Sequence, residues 1–250
     1  MSKLKDTFTP KVTLPVPFSS SYKLEGGKGK RIPRVSTVLS VLDKPMLVGW
    51  KIKQVGIRMT EELSKYEGQS VFIYDKWIRE LVDEAKKHPK KVAGEAANLG
   101  TRVHDYIEKT VKGEDPGEID SDMVPSLEAW KDWKSKNGLE LLPGEICVGS
   151  KKYGYAGRLD QPVRDKDGNL GIVDYKTGGI WPEAAYQQAA YVKAWNECFE
   201  EKMSFAWVVS LPKDPTKKFE AKKVKDLKVA FKMFKVCLDA YYGKKEAMYE

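Results

Sequence analysis

The stretch GRLDQPVRDKDGNLGIVDYKTG, residues 157–178, sets two aspartates and a lysine among apolar, strand-forming residues. Asp174 and Lys176 are two apart, so on a strand they share a face. If Arg164 pairs with Leu170 across the turn at 165–169, then Pro162 faces Ile172 and Asp160 faces Asp174. Directly opposed side chains hold their Cβ atoms roughly 5 Å apart. Two carboxylates at that spacing repel by about 3 kcal/mol at an effective dielectric of roughly 20. A divalent cation removes the repulsion, and hard cations such as Mg²⁺ prefer carboxylate oxygens. Pro162 removes a ladder donor, so a bulge or an edge at that point shifts the register. The same charges also suit a wet sheet face on which Lys176 neutralises one acid. A calcium loop is excluded. Asp165, Asp167 and Asn169 alternate, but Leu170 stands where the loop needs Gly and Lys176 where it needs Glu.

Other polar residues invite chemistry. Gln187 and Tyr191 are one helical turn apart and share a face. They serve either as neighbours of the acids or as core beside Ala190, Ala194 and Trp195. Thr177 and Gly178 follow the acidic strand, where a phosphate would meet them. Lys30, Arg31 and Arg34 lead into Ser36 and Thr37, and a helix start with cations close by is a phosphate site. Lys217, Lys218, Lys222, Lys223 and Lys225 form either a track for a polyanion or a solvated charge run. Trp50 and Trp181 are candidates to stack on bases or to fill core.

The elements that must position these residues follow from periodicity. Residues 1–34 are rich in Pro, Ser, Gly and Lys and read as an extended basic arm with a turn at Gly26-Gly27. Ser36 or Thr37 caps a helix through Val38, Leu39, Val41 and Leu42. Residues 46–67 and 72–87 read as helices with Trp50, Trp77, Leu81 and Val82 as core, and His88-Pro89 breaks the second. Ala96, Leu99, Val103, Tyr106, Ile107 and Val111 predict a helix over 92–111. Gly100 inside it costs about 1 kcal/mol relative to Ala and marks a close approach by backbone or ligand. Pro125 opens a helix carrying Leu127, Trp130 and Trp133, which Asn137-Gly138 closes. The period then shortens, and 145–150, 158–164 and 170–176 read as strands. A helix from Pro182 to Phe199, a buried strand over 204–211, a further strand over 218–223 and a lysine-rich helix over 224–242 complete the chain. This order predicts an α/β fold in one structural domain: an arm over 1–34, a helical part over 35–138 and a core over 139–250.

Composition narrows the class. At 250 residues, 41% hydrophobic and 32% charged, the chain can bury a full core as a soluble protein. No apolar run approaches the roughly 20 residues of a membrane helix. The start MSKLKDTFTPKV has charge but no apolar core, so a secretory signal is not expected and a cytoplasmic location is. Cys147, Cys198 and Cys237 lie far apart without a CxxC pair, which argues against a zinc knuckle or an iron–sulfur cluster. A net charge of +8 favours polyanionic partners.

Taken in order, GTRVH (100–104), GRLD (157–160), VDYK (173–176) and QQAAY (187–191) resemble the motifs of the PD-(D/E)XK nuclease superfamily and its RecB-type branch. The segment IPRVSTVLSVLDKP…GW, from Ile32, resembles the start of phage and mitochondrial-genome-maintenance-type exonucleases. The resemblance covers about residues 31–211. The C-terminal lysine-rich helix matches no part of it, and the iron–sulfur cysteines of some RecB-type nucleases are absent. It implies a restriction-endonuclease-like core, a central mixed β-sheet flanked by helices, with a helical N-terminal extension. It also implies Mg²⁺ or Mn²⁺ held by Asp160, Asp174, His104 and the backbone carbonyl after Asp174. Glu145 is similar to the superfamily's additional acid, which could hold a second metal or a metal-bound water. Lys176 would sit beside the attacking water, with Gln187 holding Lys176 or the DNA and Tyr191 packing nearby or touching a phosphate. The implied partner is DNA and the implied activity an exonuclease on ends or single strands. The layout resembles a phage-encoded enzyme acting in the host cytoplasm. Three bland alternatives stay open: His104 as a satisfied core-edge histidine, Glu145 as a solvated strand end, and Tyr191 as plain core. A structure- or site-specific endonuclease and an inactive DNA-binding module of the same fold also stay open.

Overall fold

A computed structural model of the chain describes residues 8–24, 30–69, 74–217 and 219–247. Two compact units emerge, Met1–Leu42 with Gly100–Glu250, and Asp43–Leu99. In the first, β1 (Val16–Phe18), β2 (Ser21–Lys23) and β3 (Arg31–Pro33) pair as an antiparallel meander. The segment expected as an extended arm therefore pairs with itself. Its turn forms at Ser19, whose φ is 52°, and Tyr22 and Ile32 are buried against Ala156. The turn expected at Gly26-Gly27 lies outside the described residues. Helix α1 (Val35–Leu39) begins directly after Arg34 and has no side-chain cap. Ser36 and Thr37 thus lie within the helix instead of capping it. Burial of Val35, Val38 and Leu39 fixes the phase, and the helix starts two residues before a Ser36 cap would place it.

Helices α2 (Pro45–Ser64) and α3 (Asp75–Lys112) follow. The smaller unit holds α2 and residues 75–99 of α3. No residue of α2 is buried, and Trp50, Trp77, Leu81 and Val82, expected as core, are half-buried. Pro89 was expected to end a helix, yet α3 runs through it. A helical proline forfeits a hydrogen bond and crowds the preceding turn, at about 3 kcal/mol. The apolar stripe keeps its phase across it: Ala85, Pro89, Leu99, Val103 and Ile107 are all buried, at three- and four-residue steps or their multiples.

The rest of the larger unit is α4 (Val124–Asn137), β4 (Glu140–Leu141), β5 (Ile146–Ser150), β6 (Tyr155–Leu159), β7 (Gln161–Arg164) and β8 (Leu170–Lys176). Then come α5 (Pro182–Cys198), β9 (Met203–Ser210), β10 (Glu220–Lys223) and α6 (Leu227–Glu246). Gly138 ends α4 in the left-handed region, as expected. A five-stranded mixed sheet runs β10-β9-β8-β7-β4, with β8 and β9 parallel and the other neighbours antiparallel. Strands β5 and β6 form a separate pair. The β7–β8 register is the one read from sequence, with Pro162 opposite Ile172 and Arg164 opposite Leu170. The stretch 158–164 is two strands rather than one, because the chain leaves the β5–β6 pair and joins the large sheet at Asp160. Helix α6 starts at Leu227, later than expected, where Asp226 accepts hydrogen bonds from the amides of Lys228 and Val229 at 2.8 and 3.0 Å.

Both faces of β8 are covered. On one, Ser126 of α4 donates to Leu211 O and Trp130 to the Tyr175 hydroxyl. On the other, α5 contributes Gln188, Tyr191 and Trp195 to the core shared with Tyr155, Ile172 and Phe234. The protein is a mixed α/β fold with a mixed sheet flanked by helices and a helical N-terminal region. Among the described residues no helix is long and apolar enough to cross a membrane.

Candidate active site

The C-terminal end of β8 gathers most of the sequence-predicted residues. Asp174 lies 1% exposed between the two helical layers. One carboxylate oxygen accepts from the Lys176 ammonium at 2.9 Å. The other lies 2.8 Å from the same nitrogen but outside hydrogen-bonding geometry, so it is a buried acceptor without a donor. Burial pushes the Asp174 carboxyl up to about 6; Lys176 opposes that, Asp160 adds to it and His104 opposes it. Burial also acts to discharge Lys176, but Asp174 and Asp160 outweigh it and hold the ammonium above its usual value.

Asp160 reaches this end from the corner between β6 and β7. The corner is pinned by the amide of Glu145, which donates to the Asp160 carbonyl at 2.9 Å. The carboxylate turns toward the Tyr175 amide, 3.4 Å away, and His104 Nδ1, 3.6 Å away. His104 projects from α3, and its Nε2 lies 2.8 Å from the Tyr175 carbonyl. Asp160, His104 and the Tyr175 backbone are thus in mutual contact, and Asp174 precedes Tyr175 on β8. The α3 backbone passes close by because residue 100 is glycine. A Cβ there would stand 3.2 Å from the Thr177 hydroxyl, which is the close approach expected of that position.

A chain of contacts sets the lysine. Its ammonium donates to Gln187 Oε1 at 3.1 Å, and Gln187 Nε2 donates to the Tyr191 hydroxyl at 3.3 Å. The Tyr191 ring fills the space over Gly157, where a Cβ would fall 2.6 Å from the ring. The glycine of GRLD and the tyrosine of QQAAY are therefore two sides of one contact. Tyr191 is both core and support, so its two readings coincide.

Glu145 sits just before β5 with φ at 61° and pairs with Arg158 at 2.7 Å. Its carboxyl is pushed up to about 7 by burial and by Glu108, with Arg158 opposing. It is therefore half-buried beside a second acid, not a solvated strand end. Sequence reasoning missed Glu108 and Arg158. Glu108 is one turn beyond His104 on α3, and both line a small cavity with Glu145, Asp160 and Tyr175. The four-residue spacing HDYIE was the available signal.

The expected phosphate contacts do not all join this end. Lys30, Arg31 and Thr37 line a different groove with Tyr241 and Tyr242, and Ser36 is exposed on the five-residue α1. Arg34 is already engaged, donating to the Ser19 carbonyl and lying over the Tyr22 ring. Only Thr177 of this set lies beside the acids. Among the described residues, no three His, Cys, Asp or Glu side chains form a ready-made metal cage. The donor chemistry nonetheless fits a hard divalent cation. The Lys176 ammonium meets both oxygens of Asp174, and the set of two carboxylates, one carbonyl and one imidazole is of the type that suits Mn²⁺ or Mg²⁺.

No protein-family model matches the chain, and no curated protein matches it. Among solved structures, the crystal structure of SSO0001 aligns over 79% of this chain and 86% of that one, at 14% identity and a TM-score of 0.34.

Proposed function

We propose that this protein is a divalent-metal-dependent deoxyribonuclease of the RecB-type branch of the PD-(D/E)XK superfamily, acting as an exonuclease at DNA ends or on single strands. One observation carries the proposal. A carboxylate only 1% exposed, Asp174, is paired with an ammonium, Lys176, at the end of the strand whose Tyr175 backbone meets Asp160 and His104. The order of elements supports it: a His-bearing helix, the strands that present both acids, a helix bearing Gln187, and a parallel strand. That order is the one a restriction-endonuclease-like core would require.

Asp160, Asp174, His104 and the Tyr175 carbonyl would hold Mg²⁺ or Mn²⁺. Such an ion supplies Lewis-acid polarisation of a phosphodiester and a more acidic water. Lys176 is charged and held by Asp174 and Gln187, so it is placed to orient a water and to meet charge developing on phosphate oxygens. Gln187 fixes the lysine's rotamer, and the Tyr191–Gly157 contact fixes Gln187. Burial and Glu108 push the Glu145 carboxyl up to about 7, and it lines the same small cavity as His104, so it is a candidate to exchange a proton with a water there.

The test is a digest of single- and double-stranded oligonucleotides labelled at either end, with Mg²⁺, Mn²⁺ or EDTA, beside a closed circular substrate. Stepwise loss from an end in Mn²⁺ is expected, with circles intact and Asp174→Ala inert while still binding DNA. Cut circles would turn the assignment to an endonuclease. A wild type inert on every substrate and metal, or an active Asp174→Ala, would refute it.

A further inference from the structure

A large groove of the larger unit lies away from the acids. It encloses about 930 Å³ between the starts of β8 and β9, the last residue of β10, the second half of α5 and the first turns of α6. Asn169, Met203 and Ser204 line it, whereas Asp174 and Lys176 end β8. From Leu170 to Asp174 is four strand steps, roughly 13 Å. A strand of substrate at the acids therefore has no need of this groove, and the groove has no known occupant.

Its walls have two characters. Phe205, Leu227 and Phe231 form an apolar floor, and Lys193, Lys223, Lys225, Lys228 and Lys232 stand around it. Lys223 lies over the Phe205 ring at 5.2 Å and Lys193 over the Tyr153 ring at 5.8 Å. Lys228 and Lys232 are exposed on α6. The lining carboxylates, Asp165 and Asp226, are already committed. Asp226 caps α6, and Asp165 accepts from the amides of Asp167 and Asn169 and from the Asn169 side chain. Lys193 pairs with Glu197 at 3.6 Å, so four further ammoniums face two occupied carboxylates. Beyond the rim, Val229, Met233 and Val236 make an exposed apolar stripe on the same helix, 55%, 40% and 60% exposed.

We infer that this groove docks an acidic peptide segment of a partner protein, its carboxylates on the lysine rim and an apolar side chain on the Phe205–Phe231 floor. The mode is helix- or loop-in-groove recognition with charge complementarity at the rim. A phosphodiester strand carries charge at every step and would run past both aspartates. A peptide sets its charges only where the lysines stand and places an aliphatic side chain on the floor between them. The lysines near 222–225, read from sequence as a possible polyanion track, contribute Lys223 and Lys225 to this rim.

The test is fluorescence anisotropy with the full chain and a labelled peptide in which a run of aspartates ends in leucine and phenylalanine. Saturable binding is expected. It should fall about tenfold or more in Lys228→Glu/Lys232→Glu, and equally when the peptide's apolar residues become serine. Both lysines are on the surface, and circular dichroism checks that the variant is folded. A peptide carrying lysines in place of the aspartates should prefer the variant to the wild type. No saturable binding by the wild type, or unchanged binding by the variant, would overturn the inference. So would a variant that loses affinity for a labelled oligothymidine while keeping the peptide, since that makes the groove a nucleic-acid surface.

Discussion

Asp174 predicts a measurable response to metal that does not depend on catalysis. Its carboxylate is 1% exposed, and one oxygen lacks a hydrogen-bond partner. A cation that binds the folded chain alone stabilises it by about 2.7 kcal/mol at a hundredfold excess over Kd. In a chain of this length each kcal/mol moves Tm by roughly 2–4 °C, so saturating Mn²⁺ should raise it by roughly 5–11 °C. The carboxyl is pushed up to about 6, so a proton competes with the cation at lower pH. At about pH 5 the apparent affinity should be about tenfold lower, which removes about 1.4 kcal/mol, or roughly 3–6 °C of the rise. Differential scanning fluorimetry in Mn²⁺ and in EDTA, on wild type and Asp174→Asn, measures both effects. In the variant the rise should shrink to under about 2 °C. An equal rise in Asp174→Asn, or one independent of pH, would refute the assignment of the cation to this carboxylate.

Three further outcomes follow from the same geometry. Gly157→Ala drives a Cβ to 2.6 Å from the Tyr191 ring; overpacking of about 1–3 kcal/mol should lower Tm by roughly 2–12 °C, and a wild-type melt would show that the ring yields freely. The Glu145 carboxyl is raised from 4.5 to about 7, so the folded chain binds that proton more tightly than the unfolded one. Its contribution to stability is full below the unfolded value and is lost as pH rises toward 7. In EDTA the change in Tm between about pH 5 and about pH 8 should therefore include a loss that Glu145→Gln lacks; identical pH profiles would count against the shift. Asp226→Ala removes both cap bonds of α6 and should cost about 1 kcal/mol by urea denaturation, while an unchanged midpoint would mean the cap contributes nothing.

The hairpin was legible because its signals are local. Alternation along 170–176 and the turn at 165–169 set the β7–β8 register, and the observed pairing of Arg164 with Leu170 matches it. Pro162 cost the sheet little, since its neighbour β4 is only two residues long. What stayed hidden depends on neighbours distant in sequence. The corner at Asp160 arises because β6 pairs with β5 while β7 pairs with β8, a choice no short window contains. The passage of α3 through Pro89 was hidden because a local penalty is outweighed by a stripe that spans several turns. Glu108 escaped notice because an acid on a helix is ordinarily solvated, and only the fold places it beside Glu145. The phosphate residues at α1 were read from a helix start that proved to be only five residues long, with Arg34 bound back to Ser19.

Asp160 occupies the joint where one ladder hands the backbone to another. A slip of one residue in a strand inverts every side chain along that strand. With a joint at residue 160, such a slip in the β5–β6 pair would break the bond from the Glu145 amide to the Asp160 carbonyl and carry Gly157 off the Tyr191 ring. A designer would have to lengthen that ribbon at its far end, by the turn at 151–154, where both contacts keep their register.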